Sequence, residues 1–93
     1  MLVQAKQITV HGKVQGVGFR FFVQRAGKRL GLNGKVRNRP DDTVEIVVAG
    51  DAELIKEFVS QVSKGPPLSR VERLDIQDIA PVEGFRSFQI EGW

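Results

Sequence analysis

Residues 7–20 read Gln7-Ile8-Thr9-Val10-His11-Gly12-Lys13-Val14-Gln15-Gly16-Val17-Gly18-Phe19-Arg20, and the organisation of the chain follows from this passage. Gln7–His11 alternates polar and apolar side chains and is β-branched at Ile8, Thr9 and Val10, the pattern of a half-buried strand. A glycine-rich loop comes next. From Phe19 onward the period changes: Phe19, Phe22, Val23, Ala26 and Leu30 fall at helical spacing and predict an amphipathic helix from about Phe19 to Leu30. Gly31 is placed to end it. Gly27 sits inside this helix, where glycine costs about 1 kcal/mol relative to alanine unless it permits close packing.

Working outward, residues 34–39 and 43–49 predict two strands separated by Pro40-Asp41-Asp42, the second built on the β-prone run Val44-Glu45-Ile46-Val47-Val48. Asp51 is a suitable N-cap for a second helix, whose apolar stripe is Ile55, Phe58, Val59 and Val62. Lys64-Gly65-Pro66-Pro67 closes that helix with a cation, a glycine and two prolines. Val71 to Ile79 reads as a fourth strand and Phe85 to Glu91 as a short fifth. The order strand, helix, strand, strand, helix, strand, strand leaves two helices needing an apolar surface and one sheet to supply it. The expected fold is α+β: a ferredoxin-like split βαβ sandwich, with a mostly antiparallel sheet of four to five strands and both helices on one face. Residues 1–93 are expected to form a single domain.

Composition narrows the chemistry. The chain has no cysteine and one histidine, which removes disulfides and thiolate metal sites. Its apolar runs are too short to span a membrane, and Met1-Leu2-Val3-Gln4 lacks the basic start and apolar stretch of a secretory signal, so a cytoplasmic protein is expected. Charge is distributed unevenly. Nine Lys or Arg fall within residues 1–40 (Lys6, Lys13, Arg20, Arg25, Lys28, Arg29, Lys35, Arg37 and Arg39), whereas all eleven acids lie from Asp41 onward. Two explanations fit: an anionic partner for the first half, or charges that balance once the chain has folded.

The loop Gly12–Arg20 has the makings of an anion site. Its glycines let a ligand approach the main chain, the start of a helix presents N–H groups and partial positive charge, and Arg20 adds a forked donor suited to phosphate. The same residues would also serve as a plain turn with Arg20 on solvent. The segment is not a Walker A motif, because no Gly-Lys-Ser/Thr ends it. Asn38 shares strand parity with Val36, so it reaches the strand's end on the apolar side, where an amide needs a partner. It could aim at a reacting group or water, or it could organise the turn before Pro40. His11 is expected to be structural. No serine triad and no carboxylate pair suited to glycoside chemistry is present. An enzyme built on this chain must work by positioning and charge stabilisation.

The string His11-Gly-Lys-Val-Gln-Gly-Val-Gly-Phe-Arg20 resembles the acylphosphatase signature, and Gly34-Lys-Val-Arg-Asn38 followed by Pro40-Asp41 resembles the second signature of that family. Gly65-Pro66-Pro67 and the Phe-rich last strand are similar to its later portions, so the resemblance runs from Lys6 to Ile90. It implies a ferredoxin-like sandwich that hydrolyses acyl phosphates to a carboxylate and inorganic phosphate without metal or cofactor. It further implies that the loop of Gln15, Gly16, Val17, Gly18, Phe19 and Arg20 binds the phosphoryl group, and that Arg20 and Asn38 are catalytic, Asn38 by orienting the attacking water. The partners implied are a small acyl phosphate and inorganic phosphate as product and competitive inhibitor; a monomer is expected, with no membrane or nucleic-acid partner. Asp42, where many members have glycine, and Lys35, where many have an aromatic residue, depart from the family pattern and bear on the turn and the surface. The competing readings are an RNA-binding module, since Gly18-Phe19-Arg20-Phe21-Phe22-Val23 superficially resembles an RNA-stacking motif, and a noncatalytic phosphate-ligand domain. Against the first, Phe19, Phe22 and Val23 follow helical spacing and are expected in the core.

Overall fold

The computed structural model describes residues 3–81 and 84–92. In chain order the elements are β1 (Val3–Lys13), α1 (Phe19–Arg29), β2 (Asn33–Asn38), β3 (Val44–Asp51), α2 (Ala52–Lys64), β4 (Arg70–Ile79) and β5 (Phe88–Glu91). The five strands form one sheet in the order β4-β1-β3-β2-β5. β3 lies antiparallel between β1 and β2, so the strands flanking α1 are parallel without being neighbours, which is the split βαβ arrangement. β4 runs antiparallel on the other side of β1, and β5 adds a parallel edge to β2.

Side-chain parity decides which face is covered. Ile8, Val10, Val36, Val44, Ile46, Val48 and Phe88 meet Phe19, Val23 and Ala26 of α1 and Ile55, Phe58 and Val62 of α2 in one buried core. α1 packs over β2 and β5, and α2 over β3 and β4. The Asp51 carboxylate caps α2, accepting from the N–H groups of Glu53 at 2.9 Å and Leu54 at 3.3 Å.

Gly27 is where the helix must be thin. A Cβ at that position would stand 2.2 Å from the Phe88 ring, which also packs against Phe58 with ring centroids 5.5 Å apart. The glycine that weakens the helix by propensity thus lets α1 settle on β5. That packing brings the start of α1 and the end of β5 into a fixed relation.

The opposite face of the sheet is polar, and much of the charge asymmetry is resolved there and along the edges. Four of the nine N-terminal cations, Lys6, Lys35, Arg37 and Arg39, pair with Asp78, Glu91, Glu45 and Glu45 respectively. Glu45 is only 9% exposed and receives Gln7 Nε2 at 3.1 Å, Arg37 Nε at 2.9 Å and Arg39 Nη1 at 3.3 Å. His11 Nε2 lies 2.8 Å from Asp75 Oδ2, the structural role expected of it. Arg73 foremost, and then His11, hydrogen-bond Asp75 and hold its carboxyl below the ordinary aspartate range.

The boundaries that differ most from expectation are the starts of β1 and β5. β1 begins at Val3 rather than Gln7, because β1 is a central strand and Gln4 and Lys6 pair with Gly50 and Val48 despite their polarity. β5 begins at Phe88 rather than Phe85, where the parallel register with Gly34 starts. The β2–β3 turn tolerates Asp42 by placing it at φ 72°, the left-handed conformation glycine would adopt freely. Asp41 braces the turn by accepting from the N–H and hydroxyl of Thr43, and these bonds lower its own pKa.

Candidate active site

The loop between β1 and α1 is pinned at both ends by buried side chains, Val14 and Phe19, each 1% exposed. Between them Gly16 and Gly18 take φ of 73° and 77°, values that L side chains adopt only with strain, so the loop can curl back on itself. Gly18 is the N-cap of α1 and supplies no side-chain cap, and the first turn contains no acid. The first helical bond is Phe22 N–H to the Gly18 carbonyl at 3.1 Å. Amides ahead of such a bond have no intrahelical acceptor, and with the helix dipole they favour an anion.

Gln15 has a role that its sequence position does not announce. Its Nε2 donates to the carbonyls of Arg39 at 2.8 Å and Thr43 at 2.9 Å, fastening the loop to the β2–β3 turn. The strand entering that turn ends in Asn38. One side chain therefore holds the two signature segments in register. Its two acceptors lie on a distant hairpin, and no local pattern points to them.

Gly16, Gly18, Phe19, Arg20 and Asn38 surround one cavity of about 190 Å³, with Phe21 and Ile90 on its walls. Among the residues singled out from sequence, these come together. Val17 packs against the core, and the Gln15 side chain turns to the hairpin. Arg20, in the first turn of α1, donates from Nη1 to the carbonyl of Glu91 at 3.2 Å, so the end of β5 orients its guanidinium. Asn38 has the parity of Val36, as the alternation predicts, and its Oδ1 is buried without a hydrogen-bond partner among the described residues. An unmet buried acceptor of this kind costs about 1–3 kcal/mol.

Among the described residues, no carboxylate or imidazole side chain lines the cavity. His11, with its Asp75 partner, has the opposite strand parity and belongs to the other face of the sheet. Among the described residues no group of three or more His, Cys, Asp or Glu side chains converges as a metal site, and no helix is long and apolar enough to cross a membrane.

Fold and cavity together define an α+β sandwich in which a strand-to-helix loop, a guanidinium and an amide surround one hollow. Residues 6–90 match the family model described as acylphosphatase, and the chain belongs to the acylphosphatase family. It is 43% identical to an acylphosphatase of Koribacter versatilis over 96% of this chain and 81% of that one. It is 42% identical to an acylphosphatase of Thermococcus kodakarensis, over 91% and 92% of the two chains. Its fold superposes on the crystal structure of acylphosphatase from Bacillus subtilis with a TM-score of 0.92 at 37% identity, covering 98% of this chain and all of the other. The chain is thus an enzyme that hydrolyses acyl phosphates, and its substrate is a small molecule. The RNA-binding reading loses its footing: Phe19 and Val23 are buried in the core, and the open sheet face carries no Phe, Tyr or Trp among the described residues.

Proposed function

We propose that the loop Gln15–Arg20 holds the phosphoryl group of the acyl phosphate through main-chain amides, that Arg20 binds its oxygens, and that Asn38 places the attacking water. Water oxygen forms the new P–O bond as the P–O bond to the acyl group breaks. The carboxylate leaves with the bonding electron pair, and the water's protons pass to a phosphate oxygen or to solvent. A carboxylate is a weak base and leaves without protonation, so a site lacking an acid or base side chain suffices. The amides and the guanidinium stabilise charge on the phosphoryl oxygens, and positioning supplies the rest.

The buried, unpartnered Oδ1 of Asn38 in the same cavity as Arg20 is the observation that carries this reading. From there the Asn38 amide can hydrogen-bond a water and hold the water's lone pair toward phosphorus. Arg20 then serves as a planar, permanently charged clamp. A chain with one histidine and no cysteine supports chemistry without a metal or cofactor. A site drawn from residues 14–38 and the end of β5 of one chain supports a monomer formed of a single domain over residues 1–93, with inorganic phosphate as a competitive inhibitor and no nucleic-acid partner. A cytoplasmic setting belongs to the same reading.

Titration of isotopically labelled protein with inorganic phosphate tests the assignment. The expected amide shifts cluster at residues 15–20 and at Asn38, and phosphate inhibits competitively. Shifts confined to another surface, or inhibition that does not compete with substrate, would remove the loop from the phosphoryl site.

A further inference from the structure

A second hollow, of about 370 Å³, adjoins the first and is bounded by Gly18, Phe21, Phe22, Arg25, Arg29 and Pro66. The two share Gly18 and Phe21, so a ligand whose phosphate rests on the loop has this hollow directly beside it. Its near wall is apolar. Phe21 is 57% exposed although it stands in the first turn of α1, and Phe22 and Pro66 complete that wall. The far end is cationic. Arg25 lies one turn beyond Phe21 with its guanidinium carbon 5.6 Å from the ring centroid, and Arg29 lies one turn further on. Helical side chains lean toward the N-terminus of their helix, so both arginines reach back toward the loop.

These two cations differ from the ion-paired cations of the sheet. Among the described residues neither is ion-paired with a carboxylate: Arg29 donates to the neutral Gln61 Oε1 at 2.8 Å, and Arg25 rests on an aromatic face. Lys6, Lys35, Arg37 and Arg39 all have acidic partners. An apolar wall beside the phosphoryl site, followed by two uncompensated guanidinium groups, is complementary to one kind of acyl group. A neutral chain end placed there would gain nothing from the arginines and would hinder their hydration.

We infer that this hollow is the acyl subsite, and that it selects acyl phosphates whose acyl group is apolar next to the anhydride and carries a second anionic group at its far end. The inference rests on the proposed assignment of the phosphoryl group to the loop. Phe21 packs against the acyl body, and Arg25 and Arg29 bind the distal anion. The selection acts on binding and orientation of the substrate and leaves the hydrolytic step to Arg20 and Asn38.

The test compares kcat/KM for two aryl acyl phosphates of matched shape, 4-carboxybenzoyl phosphate and 4-methylbenzoyl phosphate, with spontaneous hydrolysis subtracted. The intact chain should favour the carboxylate probe by about fivefold at low ionic strength, the upper range for a partly exposed charge contact, and less at high salt. Arg25→Gln and Arg29→Gln should each bring the ratio toward unity, and Arg25→Glu should invert it. Lys28→Gln removes the same charge from the same helix outside the hollow and should keep the preference. A wild-type ratio at or below unity, a preference surviving both arginine substitutions, or an equal loss in Lys28→Gln would each overturn the inference. Turnover of both probes without preference defeats the acyl subsite alone; no turnover of either defeats the phosphoryl assignment with it.

Discussion

Asn38→Ala removes a side-chain oxygen that is buried at the end of β2 and accepts no hydrogen bond among the described residues. No donor among the described residues loses a partner with it, and relief of desolvation, at most about 1–3 kcal/mol where no water meets the oxygen, offsets the packing lost with so small a side chain. The folded state should therefore be unchanged or more stable by about 1 kcal/mol. For a domain of this size that corresponds to a rise in Tm of up to roughly 4–8 °C. Catalysis should move the other way. A group that places the nucleophile acts on the transition state more than on ground-state binding, so kcat should fall while inhibition by phosphate stays near normal. By analogy with deleting a single oxyanion-hole donor, the loss is about 2.7–4 kcal/mol, or roughly a hundred- to a thousand-fold. One preparation of the variant, measured for kcat, phosphate inhibition and thermal unfolding, is enough. A lower Tm with normal kcat in the folded fraction would refute the reasoning and return Asn38 to the turn.

Arg20→Lys keeps the charge but loses the fork and its bond to the Glu91 carbonyl; kcat/KM should drop by about 1.5–3 kcal/mol, and normal kinetics would make Arg20 a surface residue. Asp42→Gly should raise stability by about 0.5 kcal/mol, because glycine adopts φ 72° without strain and returns only part of that gain as chain entropy; a lower Tm would show that the Asp42 side chain supports the turn. The pKa of Asp75 is lower in the folded state, so its stabilisation is complete above the ordinary aspartate value of about 3.9 and is lost as pH falls through the folded value. Asp75→Asn should flatten the acid limb of stability against pH below about 4, and an unchanged limb would show that the Arg73 and His11 contacts are not felt in solution.

Local patterns in this chain are legible where one residue type has one physical use. The spacing of Phe19, Phe22, Val23 and Ala26 marked α1, Asp51 marked the cap of α2, and the parity of Val36 and Asn38 placed the amide on the cavity side of the sheet. The split βαβ order followed because two amphipathic helices had only one sheet to cover. What escaped was set by contacts distant in sequence. Gln15 looks like any loop polar residue until the Arg39 and Thr43 carbonyls come to meet it. Gly27 looks like a flaw until the Phe88 ring occupies the space of its missing Cβ. β1 extends back to Val3 because β3 pairs with it that far, and β4 as far as Ala5, across the adjacent polar residues Lys6 and Gln7 that interrupt the alternation. In the site, the Glu91 carbonyl that orients Arg20 is main chain, and main-chain acceptors leave no mark on the sequence.

The most direct measurement of the central claim is the steady-state hydrolysis of benzoyl phosphate in excess chelator, with the spontaneous rate subtracted and Arg20→Lys and Asn38→Ala run in parallel. Positioning and charge stabilisation by Arg20, Asn38 and the loop amides predict full wild-type turnover under chelation, release of one phosphate per benzoate, and a severe loss in both variants. Wild-type turnover that disappears on chelation and returns with a divalent ion, or two variants as fast as the wild type, would contradict it.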